Sequence, residues 1–240
     1  MENPETSSLA ERAYQRLRSE ILHGDLMPGE RLRPADLNGK FQLGLTPIRE
    51  ALMRLSSENL VALDTHRGSR VSQASLSELG DLMATRRSIE SLCLASAMEH
   101  GSAAWEADIV AAMHLLSRTP IPRSQEDREA ATLWESRHRQ FHHALVSACQ
   151  EKWLLWFWNI LTDHSERYRK FRLMQRATRA KQSKARDIEA EHHAIMQAVL
   201  GRDHGRAIEL MHAHLTATEQ SVAEGLKARA SSTSNRKGSP

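Results

Sequence analysis

The sequence predicts a mainly α-helical protein: an N-terminal winged helix-turn-helix with a small β wing, followed by an all-α antiparallel helical bundle. Three observations predict it. Two short amphipathic segments joined by Gln42-Leu43-Gly44, and then a hairpin signal, lie within residues 1–74. From Ser75 onward strand signals vanish and apolar residues recur at helical spacing. Proline pairs and a glycine turn mark breaks between some of the helical blocks of that second region.

The first helix is expected over Leu9 to His23. Ser8-Leu9-Ala10-Glu11 is a capping box, Tyr14, Leu17, Ile21 and Leu22 face inward, and Gly24 closes the helix before the turn Met27-Pro28-Gly29. A second, short helix runs from Pro34 to Phe41. The third begins at Thr46, expected to cap, with Pro47 at the first helical position, where its missing N–H costs nothing. Ile48, Ala51, Leu52 and Leu55 give this helix one buried face, while Arg49 stands near its N-terminus on the other. Asn59 suits a left-handed helix stop. Beyond it Val61, Leu63 and Val71 flank Thr65-His66-Arg67-Gly68, a hairpin turn with a basic residue at its tip.

The residues Tyr14, Leu17-Arg18, Ile21, Gly24-Asp25-Leu26, Pro28-Gly29, Leu32 and Leu37, followed by Thr46-Pro47-Ile48-Arg49-Glu50-Ala51-Leu52 and Leu55, resemble the winged helix of the GntR family of bacterial regulators. The likeness runs on through Gly68 and Val71. It implies binding to double-stranded DNA, with Arg49 on the recognition helix contacting a base or phosphate, since a guanidinium pairs bidentately with guanine. Thr46 and the helix N-terminal amides would grip phosphate, with Pro47 starting the helix. Arg67 and Gly68 would bring the wing tip to the DNA, and Lys40 and Arg33 are further candidate contacts. The family often carries an Arg just before the Thr-Pro pair and another in the second helix; here those places hold Leu45 and Ala35, which alters the operator it would read. Residues 1–74 carry 10 Lys and Arg against 10 Asp and Glu. Any basic surface is therefore local.

In the bundle, Ser75-Leu76-Ser77-Glu78 is a second capping box and opens a long helix through Leu79, Leu82, Met83, Ile89, Leu92 and Leu94, ending near Gly101. Further helical blocks are expected at about 104–116, 126–148, 152–176, 183–200 and 205–227. Pro120 and Pro122 mark one loop and Asp203-His204-Gly205 another. The expected organisation is a domain at 1–74, a second at 78–225 and a disordered Ser-rich tail at 230–240. No segment reaches the apolar length of a membrane span and no signal-peptide core is present, so a cytoplasmic location is expected. Cys93 and Cys149 lie in apolar helical patterns without zinc spacing and are expected to be buried, reduced thiols.

Histidine carries the chemistry of the second domain: of 13 in the chain, 10 lie from His114 onward. His138 and His142 are four apart and project from one helix face. His192 and His214, in two later helices, could close a set across the core, and four imidazoles suit zinc, with nickel as an alternative. The bland alternative is that such a pair is merely solvated, since His143, His193 and His212 show how common the residue is here.

Arg86, Ile89-Glu90, Phe141-His142, Glu191-His192, Ile195, Arg202-Asp203, Ala207, Met211 and His214-Leu215 resemble the FCD ligand-binding domain of the FadR branch of GntR regulators. In many such domains a carboxylate and three histidines hold a divalent metal, and a small organic acid completes the site. The resemblance assigns the histidines to His142, His192 and His214, and puts His138 where the carboxylate stands, a change that disfavours manganese and calcium. It places Arg86 as the partner of the acid, with Glu90 one turn on. Arg167, Tyr168 and Arg169 share a helical block with Trp153, Trp156 and Trp158; Arg167 and Tyr168 are candidates to line the same cavity, and the tryptophans to pack in the core or a dimer. The whole implies a homodimeric, effector-responsive regulator, a repressor by preference, on a pseudo-palindromic operator. A metal-dependent hydrolase, and a DNA-binding protein whose bundle only dimerises, are the alternatives; the absence of a His-Glu-x-x-His motif argues against the first.

Overall fold

The computed structural model describes residues 8–64, 68–121, 128–173 and 186–236. It divides into two compact units, Met1–Ala74 and Ser75–Pro240.

In the first unit, α1 (Leu9–His23) starts where Ser8 accepts a hydrogen bond from the Glu11 amide and ends at Gly24, whose φ of 79° is left-handed. Helix α2 (Pro34–Phe41) has Pro34 in its first turn and stops at Gln42, also left-handed. Helix α3 (Leu45–Ser57) buries Ile48, Ala51, Leu52 and Leu55. Asn59 then takes a φ of 57°, and the Leu60 amide donates to the Leu55 carbonyl. This is a helix stop of the kind its side chain favours.

The wing consists of β2 (Val61–Asp64) and β3 (Gly68–Val71). They pair antiparallel from Val61 opposite Val71 to Asp64 opposite Gly68. Gly68 has a φ of 76° and a Cβ there would meet nothing within 4 Å, so turn geometry, not crowding, requires glycine. A strand not foreseen, β1 (Arg31–Leu32), pairs with the outer side of β3, giving the order β1-β3-β2. Two residues carry no periodicity. The strand exists because Leu32, 1% exposed, enters the core beneath the wing and the backbone follows. Tyr14, Leu17, Ile21, Ile48, Leu55 and Val61 pack around it.

The second unit holds α4 (Leu76–His100), α5 (Ala103–Ser117), α6 (Arg128–Val146), α7 (Lys152–Leu173), α8 (Ile188–Leu200) and α9 (His204–Arg236). Ser75 accepts from the Glu78 amide, as the capping box requires, and Ser102 and Asp187 cap α5 and α8. The block expected from Ser183 thus begins at Ile188; Ser183 itself lies outside the described residues. Helix α4 packs against α6, α7 and α9, α5 against α6 and α8, and α8 against α9. Arg202 fastens the start of α9 by donating to the Gly101 carbonyl and to Glu106. Both cysteines are buried and free.

Helix α9 continues to Arg236, through most of the tail expected to be disordered from Ala230. Extending an existing helix costs far less than starting one, and composition does not register that difference. Residues 237–240 lie outside the described residues.

The inner face of α4 departs from its apolar pattern. Leu79, Met83, Arg86, Glu90, Cys93 and Ala97 are buried while Leu92 is 54% exposed. The buried stripe follows alternating steps of four and three residues, and two of its members are charged.

Candidate functional site

Two surfaces or clusters deserve chemical description, one in each unit. In the first, the outward face of α3 presents Leu45, Thr46, Arg49, Glu50 and Met53, all exposed. Arg54, further along, is taken up within the unit: it pairs with Glu11 at 2.6 Å and lies over the ring of Tyr14. Lys40 is likewise committed, 2.6 Å from Glu20. Arg33, the residue preceding α2, is exposed. Arg67 lies outside the described residues, and Gly68 beside it is exposed.

The start of α3 corrects the expected cap. Gly44, not Thr46, is the N-cap, and its amide donates to Asn38 Oδ1 at 2.7 Å. Thr46 and Pro47 are the second and third residues of the helix. Both remain in the first turn, where amides lack carbonyl partners and a proline removes nothing. Gly44 adopts a φ of 91°, a conformation costly for a threonine, so the turn geometry decides where the helix begins.

In the second unit, His138 and His142 on α6, His192 on α8 and His214 on α9 converge. Each offers one ligand nitrogen, and these nitrogens lie within 4.8 Å of one another. None of the four side chains is more than 3% exposed. Ring centroids are 4.5 Å apart for His138 and His142 and 4.7 Å for His192 and His214. Trp134 stacks on His138 and Phe141 meets His142 and His192 edge-on, so the cluster is walled by aromatic rings.

Burial drives the imidazoles toward the neutral form. It holds His138, His142 and His192 well below their ordinary value of 6.5, reinforced by their mutual proximity. His214 is lowered to about 4, again by burial, against the pull of Glu191. Glu191 Oε2 lies 2.8 Å from His214 Nδ1. Burial would raise the Glu191 carboxyl, but its hydrogen bonds to His214 and Arg186 prevail and bring it to about 2.

This set fits a divalent cation. His138 Nδ1, both nitrogens of His142 and His192 Nε2 are buried without a hydrogen-bond partner. Each such orphan costs on the order of 1–3 kcal/mol unless something accepts its lone pair. Neutral imidazoles are the required ligand form, and nitrogens about 3.4 Å apart would suit tetrahedral zinc.

Arg86 and Glu90 adjoin the cluster. Arg86, 2% exposed, donates from Nε to Glu90 at 3.4 Å, and it also bonds Ser165 Oγ. Ser165 accepts from Arg169 as well, at 3.1 Å. Arg169 in turn pairs with buried Glu135 at 3.0 Å. Burial, with Arg169 nearby, lowers the Arg86 pKa despite Glu90.

Arg167 and Tyr168 meet Glu78. Tyr168 donates to Glu78 Oε2 at 2.9 Å and Arg167 lies 3.6 Å from Glu78 Oε1. Glu78 is two turns, roughly 12 Å, before Arg86 on α4. Arg169 takes the place beside Arg86, because residues 165 and 169, one turn apart, share the face of α7 that α4 covers.

A winged helix-turn-helix unit with an outward recognition helix, coupled in one chain to an all-helical domain with a buried polar centre, defines a class: DNA-binding transcription regulators. Residues 9–71 match the bacterial regulatory proteins of the gntR family, and residues 81–217 match the FCD domain. The chain belongs to the GntR family, in its FCD-containing group.

It is 36% identical over 208 residues to the HTH-type transcriptional regulator BphR of Paraburkholderia xenovorans, covering 87% of this chain and 82% of that protein. To the HTH-type transcriptional repressor GlaR of Escherichia coli it is 36% identical over 202 residues, covering 84% and 90% respectively. Among solved structures, Escherichia coli McbR/YncC superposes with a TM-score of 0.71 at 20% identity, covering 93% of this chain and 100% of that one. BphR and GlaR are named as regulators of transcription, as is the gntR family itself, which sets the hydrolase alternative aside.

Proposed function

We propose that this regulator senses a small carboxylic acid through a divalent metal held by His138, His142, His192 and His214. The observation that carries the reading is the convergence of four buried, neutral imidazoles with unpartnered nitrogens. An all-imidazole set without an anionic ligand favours zinc, and next nickel, over manganese or calcium. When bound, the cation supplies a Lewis-acidic position for a carboxylate oxygen. Arg86 orients the acid and Arg169 adds positive charge beside it, while Trp134 and Phe141 keep bulk water away.

At the DNA end, Arg49 reads a base edge or phosphate, and Thr46 and Pro47 in the first turn of α3 approach the backbone. The wing, with Gly68 and Arg67, and Arg33 on the same unit, add phosphate contacts. Lys40 contributes less, because Glu20 already holds it. The protein acts as a homodimer on a pseudo-palindromic operator in the cytoplasm, as a repressor, the activity that GlaR's name carries. Trp153, Trp156 and Phe157 on α7, between 44% and 73% exposed, supply an apolar face for the second copy. No helix among the described residues is long and apolar enough to cross a membrane.

The test is operator binding by the full-length protein, metal-stripped and zinc-loaded, with a panel of mono- and dicarboxylates. A reversible change in affinity that needs both zinc and one acid is expected. Affinity indifferent to both would reduce the bundle to a dimerisation domain.

A further inference from the structure

Glu90 is wholly buried on the inner face of α4. Its Oε2 accepts from Arg86, and its Oε1 has no hydrogen-bond partner. That oxygen lies 3.9 Å from Nδ1 of His142, itself unpartnered. The two orphans are complementary: a shift of roughly 1 Å would make one hydrogen bond satisfying both.

The same bundle holds a completed version of this arrangement. His214 Nδ1 is 2.8 Å from Glu191, which leaves Nε2 of that ring as the nitrogen available to the cluster. A carboxylate on the far nitrogen of a ligating imidazole fixes its tautomer and raises its basicity. Four neutral rings leave the charge of a divalent ion uncompensated among its ligands. Of the carboxylates described here, Glu90 is the one that faces His142.

We propose that Glu90 is a positioning residue for the metal: it accepts a hydrogen bond from the Nδ1–H of His142, leaves Nε2 for the cation, and supplies the negative charge that the ligand set lacks. The inference rests on the histidine set binding a cation. Through its other oxygen Glu90 also holds Arg86, so the metal and the guanidinium share one anionic neighbour.

Zinc affinity of full-length wild type, Glu90→Gln and Glu191→Gln, measured by competition with a chromophoric chelator, tests this. Glutamine keeps the size and an acceptor oxygen but removes the charge. Both substitutions are expected to weaken zinc about 10- to 100-fold, and Glu90→Gln to change the visible spectrum of the cobalt-loaded protein. Long-range proton–nitrogen spectra of zinc-loaded wild type should show His142 protonated on Nδ1 and ligated through Nε2; this decides the matter even should Glu90→Gln not fold. Ligation through Nδ1, or a Glu90→Gln affinity within about two-fold of wild type, overturns the role of Glu90 and leaves the metal site standing. A wild type that binds no zinc overturns both.

Discussion

Arg54 lies over Tyr14, its guanidinium carbon 3.5 Å from the ring centroid, and donates to Glu11. This contact ties α3 to α1 and removes Arg54 from the outward face of the recognition helix. Arg49, nearer the N-terminus, remains exposed on that face, and the proposed DNA contact falls to it.

Replacing Arg49 by Ala should therefore cost about 1–3 kcal/mol of operator affinity while leaving the melting temperature unchanged. Fluorescence anisotropy with the operator duplex measures it. An affinity equal to wild type would remove Arg49 from the DNA contact.

Tyr14 also carries a pH dependence. Its hydroxyl donates to Glu58 at 2.7 Å, and burial together with that carboxylate raises its pKa from 10.0 to about 12. A folded pKa above the unfolded one means stabilisation that is complete below pH 10 and lost as pH rises toward 12. Thermal midpoints should fall across that interval in wild type and fall less steeply in Tyr14→Phe; parallel curves would count against the assignment.

His142→Ala should abolish most zinc uptake, since that ring sits between His138 and His214 with centroids 4.5 and 5.1 Å away. Zinc at a hundred times its Kd should stabilise wild type by about 2.7 kcal/mol and the variant by almost nothing, with nonspecific DNA binding retained. Equal stabilisation of the two would defeat the ligand set.

Restoring a carboxylate with His138→Asp makes the site harder and more anionic. The ratio of zinc to manganese affinity should drop by at least tenfold, about 1.4 kcal/mol, read by competition with a fluorescent indicator. An unaltered ratio would mean that position 138 does not touch the ion.

Trp153 and Trp156 meet edge to face, 5.6 Å between centroids, on a face of α7 that the protomer leaves open. In the proposed homodimer, changing both to Ser should shift the protein to monomer in sedimentation experiments without lowering helix content. A persistent dimer would place the interface elsewhere.

Much of the first unit is legible in the sequence because its determinants are local. Ser8 and Glu11 cap α1, Gly24 and Asn59 end helices in the left-handed region, and the apolar spacing of α3 fixes which face is buried. The sequence is silent or misleading where its signal is short or ambiguous. Strand β1 is two residues long, and Thr46 has the stronger side-chain preference for a cap, whereas the backbone turn that makes Gly44 the cap leaves no such signal. In the second unit the order of the helices is legible, and their bounds except at the start of α8 and the end of α9, but not all inward faces. Leu82, Ile89 and Leu92 suggest one face of α4, yet Arg86 and Glu90 occupy the buried one.

What the sequence by itself determined is the ordered set of capped helices and wing that makes this a GntR regulator, and the presence of histidines at positions able to meet. Only the tertiary structure decided that they do meet: His138 and His142 share a helix face by spacing, but His192 and His214 arrive from helices dozens of residues away. It likewise decided that Arg169 rather than Arg167 stands beside Arg86, and that Glu90 turns an unpartnered oxygen toward His142. Periodicity fixes which residues share a face; it carries no information about which other helix that face will cover, and the histidine cluster is made at such a crossing.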